Sequence, residues 1–250
     1  MTIKSSTWER YRNKLSALGN KATAEFADWI ARHGGLEAVD TDAMIEYAYA
    51  LATKYGAGSS TLAAMMYDSV ATVSGTAIPD AVVANTATYG EVAKNIHGVL
   101  KVSKNEGLVA GVVGRLVKQA AADTTLKNAK RDGAEYAWIP SGDTCAFCEL
   151  LASNGWQKAS KAVLEGGHAD HIHANCDCQF MIRFNSDTNV EGYNPQKYTD
   201  ELVDTGERTW NDRVNALRRE NYSENKNEIN QQKRIAYAKR VEAEESEQES

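Results

Sequence analysis

Apolar side chains recur at helical spacing from about residue 21 to residue 130, and this period restricts the fold more than any other feature. In KATAEFADWIARHGG, Ala22, Phe26, Trp29 and Ile30 share one face, and Gly34 and Gly35 stop the pattern. DTDAMIEYAYALATKYGAG opens at a capping Asp40 or Thr41, carries Met44, Ala48, Leu51 and Tyr55, and stops at Gly56. SSTLAAMMYDSVATVSG repeats the pattern with Leu62, Met65, Met66 and Val73. Pro79 stands where another helix can begin, and residues 88–130 continue in helix-like sequence interrupted by Gly98, Gly107, Gly111 and Gly114. The methionine pair and the aromatic positions read as core. Only three prolines occur and alanine is abundant, a balance that favours helix.

The texture changes near Asp132 and Gly133. AEYAWIP alternates like a strand, with Tyr136 and Trp138 on one side. SGD turns the chain into Cys145, ELLASN reads as a short helix ended by Gly155, KASKAVLEGG as another, and CQFMIRF as a closing strand. This block, about Gly133 to Phe184, is short to be held by a hydrophobic core of its own. Beyond it, Tyr198, Leu202, Val203, Trp210, Val214 and Leu217 fit a helix despite Gly206. From Asn221 the chain is nearly all polar and reads as a solvated helix or a disordered tail; the alternative is an arm that folds on a neighbouring subunit, with Ile229, Ile235, Tyr237 and Val241 as sparse anchors.

All four cysteines fall in two short clusters, SGDTCAFCELL and HADHIHANCDCQF, and three of the five histidines lie in the second. The opening MTIKSSTWERYRNKLSALG is charged throughout, with no apolar core of a signal peptide, and no window approaches a membrane span. The chain therefore reads as soluble and made in the cytosol, where thiols stay reduced. There a Cys-x-x-Cys pair with a second Cys/His cluster points to a metal, and zinc fits best because it takes four tetrahedral ligands from thiolate and imidazole. Cys145 and Cys148 from one cluster, with partners among His171, His173, Cys176 and Cys178 from the other, would close a long loop and supply what a small core lacks. A structural site is the leading reading; a catalytic zinc with an open position and uncoordinated thiols are the alternatives.

The chemistry of turnover finds little support. A zinc nuclease would need a base, for which HADHIH offers His168 or Asp170. No His-x-Glu or Cys-x-Glu element precedes Cys145, as a zinc deaminase would require. Gly-x-Ser-x-Gly, Walker and dinucleotide fingerprints are absent from the sequence. The net charge of −6 argues against nucleic-acid binding by the whole chain, while Lys4, Arg10, Arg12 and Lys14 form a local basic face.

DTCAFCELLASNG followed by HIHANCDC resembles the C-terminal signature of the minor head proteins of tailed phages, the family typified by phage Mu protein F. The resemblance covers about residues 130–185; Ala174 stands where that family often has proline, and Asp177 where it has a basic residue. It implies a virion component of modest copy number, near the portal or inside the head, made in the host cytoplasm. It also carries over Cys145, Cys148, His173, Cys176 and Cys178 as candidate metal ligands. The four cysteines are the favoured set, with His173 either a substitute ligand or a donor to a sulfur. His168 and His171 read as solvated loop residues and Asp143 as a cap of the turn at Cys145.

The expectation is a mainly α protein: a helical region over residues 1–130 for head or portal association, a zinc-binding α+β block over 131–186, a C-terminal helix over 187–220 and a polar tail over 221–250. Its expected work is head assembly rather than catalysis. The expected partners are portal or major capsid protein, with packaged DNA as a further contact. The second reading is a zinc-dependent nuclease acting on phage DNA.

Overall fold

The computed structural model describes residues 2–140, 146–159, 179–207 and 209–220, with the short stretches 222–223, 226–227 and 230–231. The chain runs β1 (Thr2–Ile3), α1 (Ser5–Arg32), α2 (Thr41–Val73), α3 (Tyr89–Val102), α4 (Glu106–Asp132), β2 (Glu135–Ile139), α5 (Ala146–Ser153), β3 (Gln157–Lys158), β4 (Gln179–Arg183), β5 (Asn189–Val190) and α6 (Pro195–Asp204). A further helical stretch, α7, spans residues 210–220. The architecture is mainly helical, as the periodicity predicts.

Three long helices, α1, α2 and α4, pack on one another, and α3 lies against α2 and α4. The helix expected from Lys21 begins at Ser5, and its buried stripe includes Trp8, Tyr11 and Leu15. Asp40 caps α2 by accepting from the Ala43 N–H at 2.9 Å. The helix then passes straight through Gly56, so the two helices expected there are one of 33 residues, about 50 Å long. The expectation that Met65 and Val73 are core is also corrected: they are 61% and 64% exposed. The reason lies on the opposite face, where Ser59, Ser60, Ala63 and Ala64 are buried. These small residues let α2 approach α4 closely, and the Ser60 hydroxyl donates to the Ala120 carbonyl of α4 at 3.1 Å.

Pro79 starts no helix. Residues 76–88 form neither helix nor strand, and the next helix is capped by Thr88, with Glu91 completing a capping box. Gly98 lies inside α3, and Gly107, Gly111 and Gly114 lie inside α4; the break comes at Ser103–Asn105 instead. Gly133, at φ 66°, ends α4 in the left-handed conformation that glycine tolerates best.

β2 is the centre of a three-stranded antiparallel sheet, ordered β3–β2–β4, in which Tyr136 pairs with Ile182 and Trp138 with Phe180. The predicted strands are present. The sheet does not rely on a core of its own: Tyr136, Trp138, Phe180 and Met181 are continuous with Trp8, Leu15, Tyr67 and Leu126 of the bundle. The start of the chain joins here too, since β1 pairs in parallel with β5 and the Glu191 N–H donates to the Ile3 carbonyl at 2.9 Å. The single helix expected over residues 187–220 is replaced by β5, α6 and α7, broken at Gly206, where φ is 69°. Leu202 and Val214 are buried against Ala146 of α5. The tail expected from Asn221 lies mostly outside the described residues.

Bundle, extended segment and sheet meet at the end of α4. The Tyr67 hydroxyl donates to Asp132 Oδ2 at 2.9 Å, and Arg131 donates to the same carboxylate at 2.7 and 2.8 Å. Burial pushes the Asp132 carboxyl up, but the hydrogen bonds from Arg131 and Tyr67 and the Arg131 charge together hold it below its ordinary value. A carboxyl depressed on folding contributes stability that is full above its unfolded value and lost as pH falls through the folded one. Asp132→Asn should therefore cost about 1–3 kcal/mol at pH 7, from a buried charge-assisted network. Urea midpoints of wild type and variant should converge as the pH falls from the ordinary carboxylate range through the lower folded value, where Asp132 itself becomes protonated. A gap that stays constant over that range would place the effect elsewhere.

Candidate metal centre

The site begins with the register of β2 and β4. Ile139, the last residue of β2, pairs with Gln179, the first of β4. Gln179 follows Cys178 directly, and Pro140 leads from β2 into the segment that carries Cys145. The approaches to both cysteine clusters therefore meet at one end of the sheet. The third element there is α5, which packs against β2. It is held by α6 and the turn before it: the Tyr193 hydroxyl donates to the Ala152 carbonyl at 2.8 Å, and Leu202 of α6 is fully buried.

Cys148 sits in the first turn of α5 and is 2% exposed, within the same apolar cluster as Leu151 and Trp138. Of the five candidate ligands it is the one that the described residues include. Cys145, His173, Cys176 and Cys178 lie outside them, as do Asp143, His168, Asp170 and His171. The described residues contain no cluster of three or more His, Cys, Asp or Glu arranged to hold a metal.

Two groups at this end escaped the sequence reading. Trp138 Nε1 and Gln179 Nε2 are buried N–H donors with no hydrogen-bond acceptor among the described residues. A buried donor left unpaired costs about 1–3 kcal/mol. Thiolate sulfurs bound to a metal are acceptors that such donors serve. A buried thiol on α5 and a second cysteine cluster tied to the first residue of β4 fit a thiolate metal site, while the register places Trp138 and Gln179 on opposite faces of the sheet. No local sequence signal marks Trp138 or Gln179: their lack of an acceptor follows from tertiary packing alone. The surrounding sheet is pinned by Arg183, which donates to Glu135 at 2.6 Å and stacks over Trp156 at 4.7 Å.

The family model of VG15 protein matches residues 2–204, from β1 to the last residue of α6. The chain belongs to the VG15 protein family. VG15 is a family of viral, phage proteins, so the expectation of a phage protein holds at that level. The match takes in the helical bundle, the sheet and both cysteine clusters together, and stops before α7 and the polar tail. No curated protein and no solved structure matches the chain. No described helix is long and apolar enough to cross a membrane.

Proposed function

We propose that this VG15 protein is a structural component of the phage head, a minor head protein in the manner of the protein F-like family, with work in assembly rather than turnover. The observation that supports this reading most is the family match from β1 through α6, which spans both the bundle and the cysteine clusters. Portal and major capsid protein are the proposed partners, with packaged DNA as a further contact. Zinc is held by Cys145, Cys148, Cys176 and Cys178, with His173 as substitute ligand or as donor to a sulfur. Bound there, zinc supplies a redox-inert cross-link between the chain that leaves β2 and the chain that enters β4. Four protein ligands leave no open position at which water is activated, and this distinguishes a structural centre from a nuclease.

The test joins metal analysis with assembly. Purified protein should carry about one zinc per chain with a sulfur-dominated shell, and it should show no metal-dependent cleavage of plasmid DNA. The bundle exposes Tyr49, Met65, Val73, Val102 and Leu108, whereas the polar tail holds few apolar residues. Deleting residues 221–250 should therefore leave incorporation into heads largely intact. Heads that lose the protein on that deletion would move the contact to the tail. Cleavage that disappears in His168→Ala or His171→Ala with zinc still bound would replace assembly by catalysis.

A further inference from the structure

The first and last stretches of the chain carry opposite charge. Residues 2–24 hold Lys4, Arg10, Arg12, Lys14 and Lys21 against one carboxylate, Glu9. The last ten residues, VEAEESEQES, hold five glutamates and no cation, and so supply five of the six net negative charges of the chain. The rest of the protein is close to neutral, with a basic helix at its start. Arg10 and Lys14 are exposed and stand one turn apart on α1. Neither they nor Lys4 form an ion pair among the described residues. Like charges at that spacing repel each other, so this face favours an anion.

Beside the cations lies an open apolar space of about 240 Å³, between the start of α1 and the last turns of α2. Ile3, Met66, Val70 and Val73 line it, with Lys4 and Thr7 on the α1 side. Arg10 and Lys14 follow Thr7 by three and seven residues, so they continue the α1 side of this space along the helix. An apolar hollow followed by unpaired cations matches an apolar residue followed by acids. The end of the chain has that order: Val241 precedes the five glutamates, and Lys233, Arg234, Lys239 and Arg240 all come before Val241. The connectivity also suits it. β1 pairs with β5, four residues lead from β5 to α6, and Leu202 of α6 shares a cluster with Val214 of α7, from which the tail departs. Residues 221–240 would span about 30 Å as helix and about 70 Å extended.

We propose that residues 241–250 fold back on their own copy, with Val241 in the apolar space at Ile3, Met66 and Val73 and the glutamates along Lys4, Arg10 and Lys14. The tail is thereby an internal cover of this apolar and basic surface. Charge identifies the occupant, and the apolar space narrows it: a plain polyanion would match the cations and leave the hollow unfilled. Each exposed ion pair is weak on its own. A flexible tether raises the local concentration of the tail to about millimolar, above that of a second copy in dilute solution, so weak pairs suffice within one chain. The proposal does not depend on the metal or on the place of the protein in the head.

The test uses the full-length chain with Thr7→p-benzoylphenylalanine, a photoreactive side chain at an exposed position on the edge of the space. After irradiation in dilute solution, mass spectrometry of the digested monomer should find residues 241–250 joined to position 7. Arg10→Glu together with Lys14→Glu should lower that yield about tenfold, and changing the five tail glutamates to lysine in the same chain should restore it. The yield should also fall between about 0.1 M and about 1 M salt, where the screening length shrinks from about 10 Å to about 3 Å. A monomer with no adduct between position 7 and the tail overturns the proposal. So does an adduct found only at dimer mass, which would place the tail on another copy, and so does a yield that ignores both charge reversal and salt.

Discussion

Gly114→Ala is expected to destabilise the protein, while Gly98→Ala, the same change in another helix, is expected to stabilise it. In the interior of an exposed helix, alanine gains about 1 kcal/mol over glycine from propensity alone. Gly98 meets that condition, since an added Cβ there has nothing within 4 Å. Gly114 lies where α4 crosses α1. A Cβ there would collide with Thr23 Oγ1 and stand 3.1 Å from the Gly19 carbonyl oxygen. Thr23 cannot simply rotate away, because its hydroxyl donates to that same carbonyl at 3.0 Å. Relief requires α1 to move off α4, and overpacking of this kind costs about 1–3 kcal/mol, which outweighs the propensity gain. Gly114→Leu adds three more carbons at the crossing and should cost above about 3 kcal/mol. For a chain of this size each kcal/mol shifts the melting temperature by about 2–4 °C. A Gly114→Ala variant that melts at or above wild type would mean that the crossing is looser than the backbone distance implies.

The sequence announces the helices through their period, and the cap at Asp40 and the stop at Gly34 and Gly35 hold in the structure. Errors came where tertiary contact overrides local pattern. Gly56 reads as a stop, yet α2 continues through it, and Thr86 of the segment between α2 and α3 takes the space a side chain would need there. Gly114 reads as an interruption, yet it is a point of close approach between two helices. Met65 and Val73 read as core by hydrophobicity, but the closer packing available to Ser60 and Ala63 turned the other face inward. The pairing of β1 with β5 leaves no local trace, because the partners stand far apart in the sequence. For the site, the clustering of the cysteines was legible as composition and spacing. The register that brings Ile139 opposite Gln179, and the spare N–H groups of Trp138 and Gln179, were not: both depend on which strand pairs with which.

Removal of metal is expected to unravel one end of the molecule and spare the other. A structural zinc contributes about 10–16 kcal/mol of apparent binding free energy in small peptides whose folding depends on it. Here the sheet also shares a core with the bundle through Tyr67, Leu126, Tyr136 and Phe180, so the strands have support beyond the ligands. The loss should therefore be several kcal/mol and local. Cys145→Ser, or a strong chelator added to wild type, should lower the melting temperature to the same extent, and the two together should lower it no further. Hydrogen exchange should accelerate in β2, α5 and β4, whereas the distal core around Phe26, Ile45, Val92 and Val113 should keep its protection. Cys148→Ser is a poorer probe, because the residue is buried and the hydroxyl would itself need a partner. Identical melting of wild type and Cys145→Ser, with and without chelator, would leave the cysteine clusters without a structural metal.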